Sequence, residues 1–175
     1  MRDVTIQFTR PKGFKPLSWA IRKVQRTEYS HVRLTWLGMG ETMPVIYEAS
    51  GSYLKFIGPI AAKRIHVGIV DFYNFELSQD QYRATVSLCM ENAGIEYGKR
   101  QLVGMGIAKM FGLKKNPYGD GAKTQVCSEI VGHFLNDILG WQTELDLDIA
   151  GPKEIRETII KFKQEGLTNG TKTVK

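Results

Sequence analysis

Cysteine is scarce in this sequence: Cys89 and Cys127 are the only two among 175 residues, so no disulfide framework holds the fold and a reducing compartment is the expected setting. Neither belongs to a Cys-x-x-Cys pair, and there is no His-Glu-x-x-His. The three histidines (His31, His66, His133) are scattered, so no zinc pattern is present and no metal or other cofactor is called for. Apolar runs are broken by charge or glycine well short of the roughly 20 residues a membrane helix needs, which argues against integral membrane association. The start, MRDVTIQFTR, has no apolar stretch of signal-peptide length, and a cytoplasmic location is expected. Glycine-rich phosphate loops are lacking too, since GMG at 38–40 and again at 104–106 is too short for one. No repeat, low-complexity segment or linker divides the chain. A single domain over residues 1–166 with a frayed tail at 167–175 follows.

What the chain does have is an ordinary globular composition, 42% apolar and 24% charged, with a basic balance of +6. The excess falls in two groups: Arg10, Lys12, Lys15, Arg22, Lys23 and Arg26, then Lys99, Arg100, Lys109, Lys114 and Lys115. Such groups are either a solvated surface or a site for an anionic partner. No nucleic-acid motif accompanies them, so no specific nucleic-acid partner is predicted, and Trp19, Trp36 and Trp141 are read as core or groove residues.

Alternation and helical periodicity outline the elements. Val4, Ile6 and Phe8 alternate with polar residues as a first strand. Leu17, Ala20, Ile21 and Val24 then recur at helical spacing, predicting an amphipathic helix over 17–26 with a basic outer face. In HVRLTWL (31–37) the residues Val32, Leu34 and Trp36 share one face, while His31, Arg33 and Thr35 share the other, read as the non-core side. Val45 to Ser50 returns as a partner strand that brings Glu48 near His31. A further β segment is expected over 64–75, and Ser78 with Gln81 forms a capping box opening a helix to about Ala93. Another helix near 99–111 carries the stripe Leu102, Val103, Ile107, Met110 and Phe111. Cys127, Ile130, Val131, Phe134, Leu135 and Ile138 mark the strongest helix, ended by Gly140, and Pro152 opens the last one. The fold class is α+β, a central antiparallel sheet packed against helices.

The chemistry centres on a thiol. The first turn of a helix favours an anion through its dipole and free N–H groups, and Cys127 sits in such a turn. The N–H groups of Cys127 and Ser128 are placed to meet an oxyanion. Position alone also allows a buried packing cysteine. Cys89 lies mid-helix on an apolar stripe and reads as packing. A reactive thiolate needs a histidine and a third polar group to orient it. His31, at the head of a strand opposite Glu48, is the first choice, His66 the second, and His133 reads as a surface residue. Tyr29, Gln125 and Tyr118 are the side chains available as further oxyanion donors.

The order SHVRLTW, VIYEAS, TQVCSEIVGHFL, GPKEIRETI resembles the circularly permuted NlpC-type branch of papain-like cysteine hydrolases, in particular its YiiX-like group. The resemblance covers roughly residues 29–160 and rests on the order of short motifs. It implies a permuted papain-like fold, with Cys127 as nucleophile, His31 as base and Glu48 as the residue that orients the histidine. Arg33 departs from the family, whose members usually carry a small residue there. Sharing a face with His31, it is read either as a binder of substrate carboxylate or phosphate or as a residue that crowds the site. The implied activity is hydrolysis of an amide or ester, with cell-wall peptide as the first substrate expectation, in a bacterial cell or phage-infected host. Two rivals stand beside it. One is a lipid acyltransferase or thioesterase of the same fold, whose usual Asn-Cys-Glu-His-Phe motif is replaced here by VCSEIV. The other is a non-catalytic factor that binds a host protein, supported by Arg33 and the +6 charge.

Overall fold

A computed structural model describes residues 2–37, 44–58, 60–61, 67–119 and 123–168. The long strand β1 (Arg2–Pro11) lies between β2 (His31–Leu37) and β5 (Val67–Leu77). Seven strands form one sheet in the order β5-β1-β2-β3-β4-β6-β7, where β3 is Pro44–Ser50, β4 Tyr53–Ile57, β6 Glu96–Tyr97 and β7 Thr124–Gln125. All neighbours are antiparallel except β6 and β7. The α+β class read from the sequence is the class observed. Three strands escaped that reading. β4 follows β3 through a tight turn in which Gly51 takes φ +73°, a conformation glycine adopts without steric cost, and β6 and β7 are too short to show a period.

Register separates two faces. Val4 faces Trp36, Ile6 faces Leu34 and Phe8 faces Val32, an apolar layer that Tyr47 extends from β3. Gln7 faces Arg33 and Thr9 faces His31 on the other side. That second side is covered as well: Thr9, Arg33, Thr35 and Glu48 are all buried, which corrects its reading as a non-core face. Alternation tells which residues share a side, and says nothing about whether something packs over it.

Among the described residues, five helices of seven residues or more surround the sheet. α1 (Pro16–Gln25) starts at a proline and ends at Arg26 in the left-handed conformation. α2 (Gln79–Glu91) begins with the expected capping box, Gln81 N donating to Ser78 Oγ (3.2 Å) and Ser78 N to Gln81 Oε1 (3.0 Å), and ends two residues before Ala93. α4 (Cys127–His133) widens into a π-type turn over Phe134–Ile138, with Leu139 N donating to Phe134 O at 3.1 Å. Ile130, Val131, Phe134 and Leu135 are its buried anchors. α5 (Pro152–Thr168) buries Ile155 and Ile159 and runs through Gly166, so the domain boundary expected there does not coincide with a helix end. Residues 169–175 of the expected tail lie outside the described residues, as does His66.

α3 (Lys99–Phe111) buries a different face from the expected one: Gln101, Leu102, Gly104, Met105 and Ala108 are inside, while Val103, Met110 and Phe111 are exposed. The helix is apolar on most sides, so period alone does not select a face. The choice falls to Asn116, whose Nδ2 donates to Gln101 O and Asp148 O (both 3.0 Å) and whose amide lies flat against Gly104. A Cβ on residue 104 would collide with Asn116 Oδ1. Gly104→Ala is therefore expected to lower stability by about 1–3 kcal/mol through overpacking, read as a lower denaturant midpoint, whereas Gly106→Ala, with open space around it, is expected to leave the midpoint unchanged or raise it.

Candidate active site

Cys127 is the first residue of α4 and is buried. Val126 before it is extended (φ −108°, ψ 163°) and has no side-chain oxygen to cap the helix, so only the return half of a capping box forms: Val126 N donates to Glu129 Oε2 at 2.8 Å. The other carboxylate oxygen accepts from Gln101 Nε2 (2.5 Å), and Gln101 Oε1 accepts from Thr124 Oγ1 (3.3 Å). Gly98 stands so close to Gln101 and Thr124 that a side chain there would displace them. The turn that presents Cys127 is thus strapped to α3 and β7 by buried polar groups. Sequence inspection missed Gln101 and Glu129 in this role. The spacing from Val126 to Glu129 is that of a capping box, a legible signal lost because the first position is a valine.

His31 enters from the opposite end of the chain. Its strand start is tied down locally: Ser30 N donates to Thr9 O (3.1 Å), and the Ser18 and Ser30 hydroxyls, 2.5 Å apart, pin α1 beside it. His31 Nε2 lies 3.6 Å from Glu48 Oε2 and is otherwise unpartnered. That distance is slightly beyond a hydrogen bond, yet Coulomb attraction persists across it. The ring also interacts electrostatically with Cys127. Burial disfavours the charged imidazolium, but Cys127 first and Glu48 second outweigh it, and the His31 pKa is raised to about 10. Imidazolium is then the resting form at neutral pH.

Glu48 Oε2 is shared. Arg33 Nη1 lies 3.4 Å from the same oxygen, and Arg33 Nε donates to Gln7 Oε1 at 3.0 Å. Both Arg33 and Glu48 are 5% exposed. Burial lowers the Arg33 pKa from its ordinary value while Glu48 raises it, and a guanidinium stays charged throughout. Its charge is turned into the protein and directed at Glu48, on the same carboxylate oxygen that His31 approaches.

The remaining sequence candidates separate cleanly. Tyr29 is removed from the thiol: its ring packs on Phe8 (5.0 Å between centroids), its charged surroundings are Arg156, Glu157 and Asp71, and burial pushes its pKa to about 12. The tyrosine beside Cys127 is Tyr97, which no sequence signal marked. Burial, with the Cys127 and Glu48 charges beside it, raises its pKa well above the ordinary value. Gln125 pairs with Tyr97 across β6 and β7, and its Oε1 is a buried oxygen with no partner. Ser128 is buried with its hydroxyl likewise unpartnered. Tyr118 is exposed, and its backbone N–H serves Asn116 (3.0 Å). His133 Nδ1 meets Asp137 Oδ2 on the surface at 2.9 Å. Cys89 is fully buried, with burial raising its pKa to about 12.

No protein-family model matches the chain, and no curated protein does. Among solved structures it is similar to the metalloprotein YiiX from Escherichia coli O157:H7, with 18% identity, a TM-score of 0.54, and coverage of 89% of this chain and 78% of that one. The fold is YiiX-like, hence papain-like. The likeness is one of architecture.

Proposed function

We propose that the protein is a cysteine hydrolase of amides or esters in which a circular permutation places the histidine strand ahead of the nucleophile helix. The observation that carries this reading is a single cluster of buried Cys127 and Glu48 with half-buried His31, drawn from a helix start and two strands. An imidazolium beside the sulfur favours thiolate, the nucleophilic form. The sulfur attacks a carbonyl carbon, and the oxyanion that forms meets the N–H groups of Cys127 and Ser128, with the Tyr97 hydroxyl within reach of the same sulfur. His31 gives its proton to the leaving amine or alcohol, leaving a thioester on Cys127. The now neutral ring takes a proton from water, whose attack releases the acid and restores the thiolate–imidazolium pair. Glu48 holds the ring and its charge, and Arg33 with Gln7 holds Glu48.

YiiX is named a metalloprotein, but among the described residues no group of three or more His, Cys, Asp or Glu side chains is arranged to hold a metal, and each step above uses the chain's own side chains. Cell-wall peptide remains the first substrate class to test. A lipid ester or amide is the second, favoured by the apolar cleft whose inner wall, Ile21, Leu102 and Met105, packs against Val126, the residue before Cys127. The binding-factor reading loses one of its supports, because Arg33 is buried against Glu48.

A thiol-directed probe tests the proposal. The native protein is expected to take up one equivalent, on Cys127 and not on Cys89, whose burial and raised pKa suppress thiolate. Cys127→Ala should abolish turnover of whichever of a panel of muropeptides, isopeptides and acyl esters the native protein cleaves. Equal labelling of both cysteines, or undiminished turnover by Cys127→Ala, overturns the reading.

A further inference from the structure

Charge is segregated in this chain to a degree its net value hides. Residues 4–27 carry Arg10, Lys12, Lys15, Arg22, Lys23 and Arg26 with no Asp or Glu, and residues 97–119 carry Lys99, Arg100, Lys109, Lys114 and Lys115, again with none. These eleven cations exceed the net +6 of the whole chain, so all the rest is net negative. The fold lays the helices of the two segments side by side, α1 against α3, and opens an apolar cleft of about 260 Å3 between them. Leu17, Val24, Val103 and Met110 line it while remaining 44%, 37%, 51% and 68% exposed. Its polar wall groups are already engaged: Gln25 Oε1 accepts from Lys153 N (3.2 Å), and Lys109 pairs with Glu154 (2.5 Å). Phe14, Trp19 and Phe111 stand exposed on the flanks. More than half of the large apolar side chains exposed among the described residues lie in these two segments.

We propose that the α1–α3 face docks on an acidic phospholipid bilayer, the exposed Lys and Arg meeting anionic headgroups while Leu17, Val24, Val103, Met110 and the flanking aromatics enter the acyl boundary. Two kinds of complementarity select this occupant. Two cation-rich segments that enclose an aliphatic cleft match a surface with negative charge outside and hydrocarbon just beneath. A nucleic acid would satisfy the cations but offers nothing aliphatic to the cleft, and residues 169–175, NGTKTVK after the helix, have the wrong chemistry to fill it from within. Among the described residues no helix is long and apolar enough to cross a membrane, so the association is peripheral. The cleft is continuous with the apolar cluster that includes Val126 and Tyr97, the neighbours of Cys127, so docking would bring the thiol close to the lipid surface.

Vesicle co-sedimentation of the full chain decides the matter. The protein is expected to pellet with vesicles of phosphatidylcholine containing about 30% phosphatidylglycerol and to stay in solution with phosphatidylcholine alone, binding falling steeply as salt rises. Val103→Asp with Met110→Asp should weaken binding at least tenfold, as should Lys15→Glu with Lys23→Glu. Met90→Asp, an equally exposed methionine on α2, should leave it unchanged. Circular dichroism and the denaturant midpoint confirm that each variant is folded, and all four residues are on the surface, so two independent pairs guard against a folding failure. Repeating the measurement on Cys127→Ala separates docking from turnover. Equal binding to neutral and acidic vesicles overturns the proposal, as does indifference to both variant pairs. A DNA oligonucleotide that binds more tightly than acidic vesicles, and is unaffected by Val103→Asp with Met110→Asp, also overturns it.

Discussion

Alanine in place of His31 is expected to slow alkylation of Cys127 by roughly a hundredfold at pH 6, because an unassisted thiol with a pKa near 8.5 is thiolate in only about one molecule in 300 there. The gap between native and His31→Ala rates should close as pH rises through about 10, where the native imidazolium is lost. The sign for stability is opposite to that of a carboxylate. The folded-state His31 pKa, raised to about 10 from 6.5, contributes stability that is complete below about 6.5 and is lost as pH rises through about 10. Cys127 outranks Glu48 among the groups that raise it, so Cys127→Ala should drop the His31 titration further than Glu48→Gln does, as followed by ring-proton NMR. A His31 that titrates near 6.5 in the native protein would remove the ion pair from the mechanism.

Methionine in place of Arg33 is expected to cost about 3–5 kcal/mol of stability, because it leaves the Glu48 carboxylate buried without its guanidinium. Methionine keeps most of the stem volume, so the loss reports charge more than packing. The double variant Arg33→Met with Glu48→Gln should recover most of that loss in a denaturant titration, since the group left uncompensated is then neutral. It should not recover Cys127 reactivity, because His31 has lost its carboxylate as well. The contrasting outcome is informative: if Arg33→Met unfolds at the native midpoint and raises KM alone, Arg33 binds substrate and the pairing with Glu48 is incidental.

Much of the frame was readable from local pattern. The alternation in β1 and β2, the Ser78–Gln81 capping box and the stripe of α4 all predict the elements observed, because burial of one side imposes its period directly on the residues. β4 is hard to read because YLKFI is short and interrupted by Lys55, and the buried face of α3 is not selected by period because Val103 and Met110 are as apolar as Leu102 and Met105. In both cases the deciding contact is non-local: β3 beside β4, and Asn116 against Gly104.

From the residues alone came the placement of a thiol at a helix start, and of an imidazole and a carboxylate on matching sides of neighbouring strands. Those are statements about phase along one element, and phase is local. Tertiary structure alone decided that Arg33 turns inward to Glu48, that Tyr97 rather than Tyr29 reaches the sulfur, and that Gln101 holds Glu129. Each depends on which surfaces close over one another, a choice made by sheet order and helix packing among residues distant in the chain, and no periodicity encodes it.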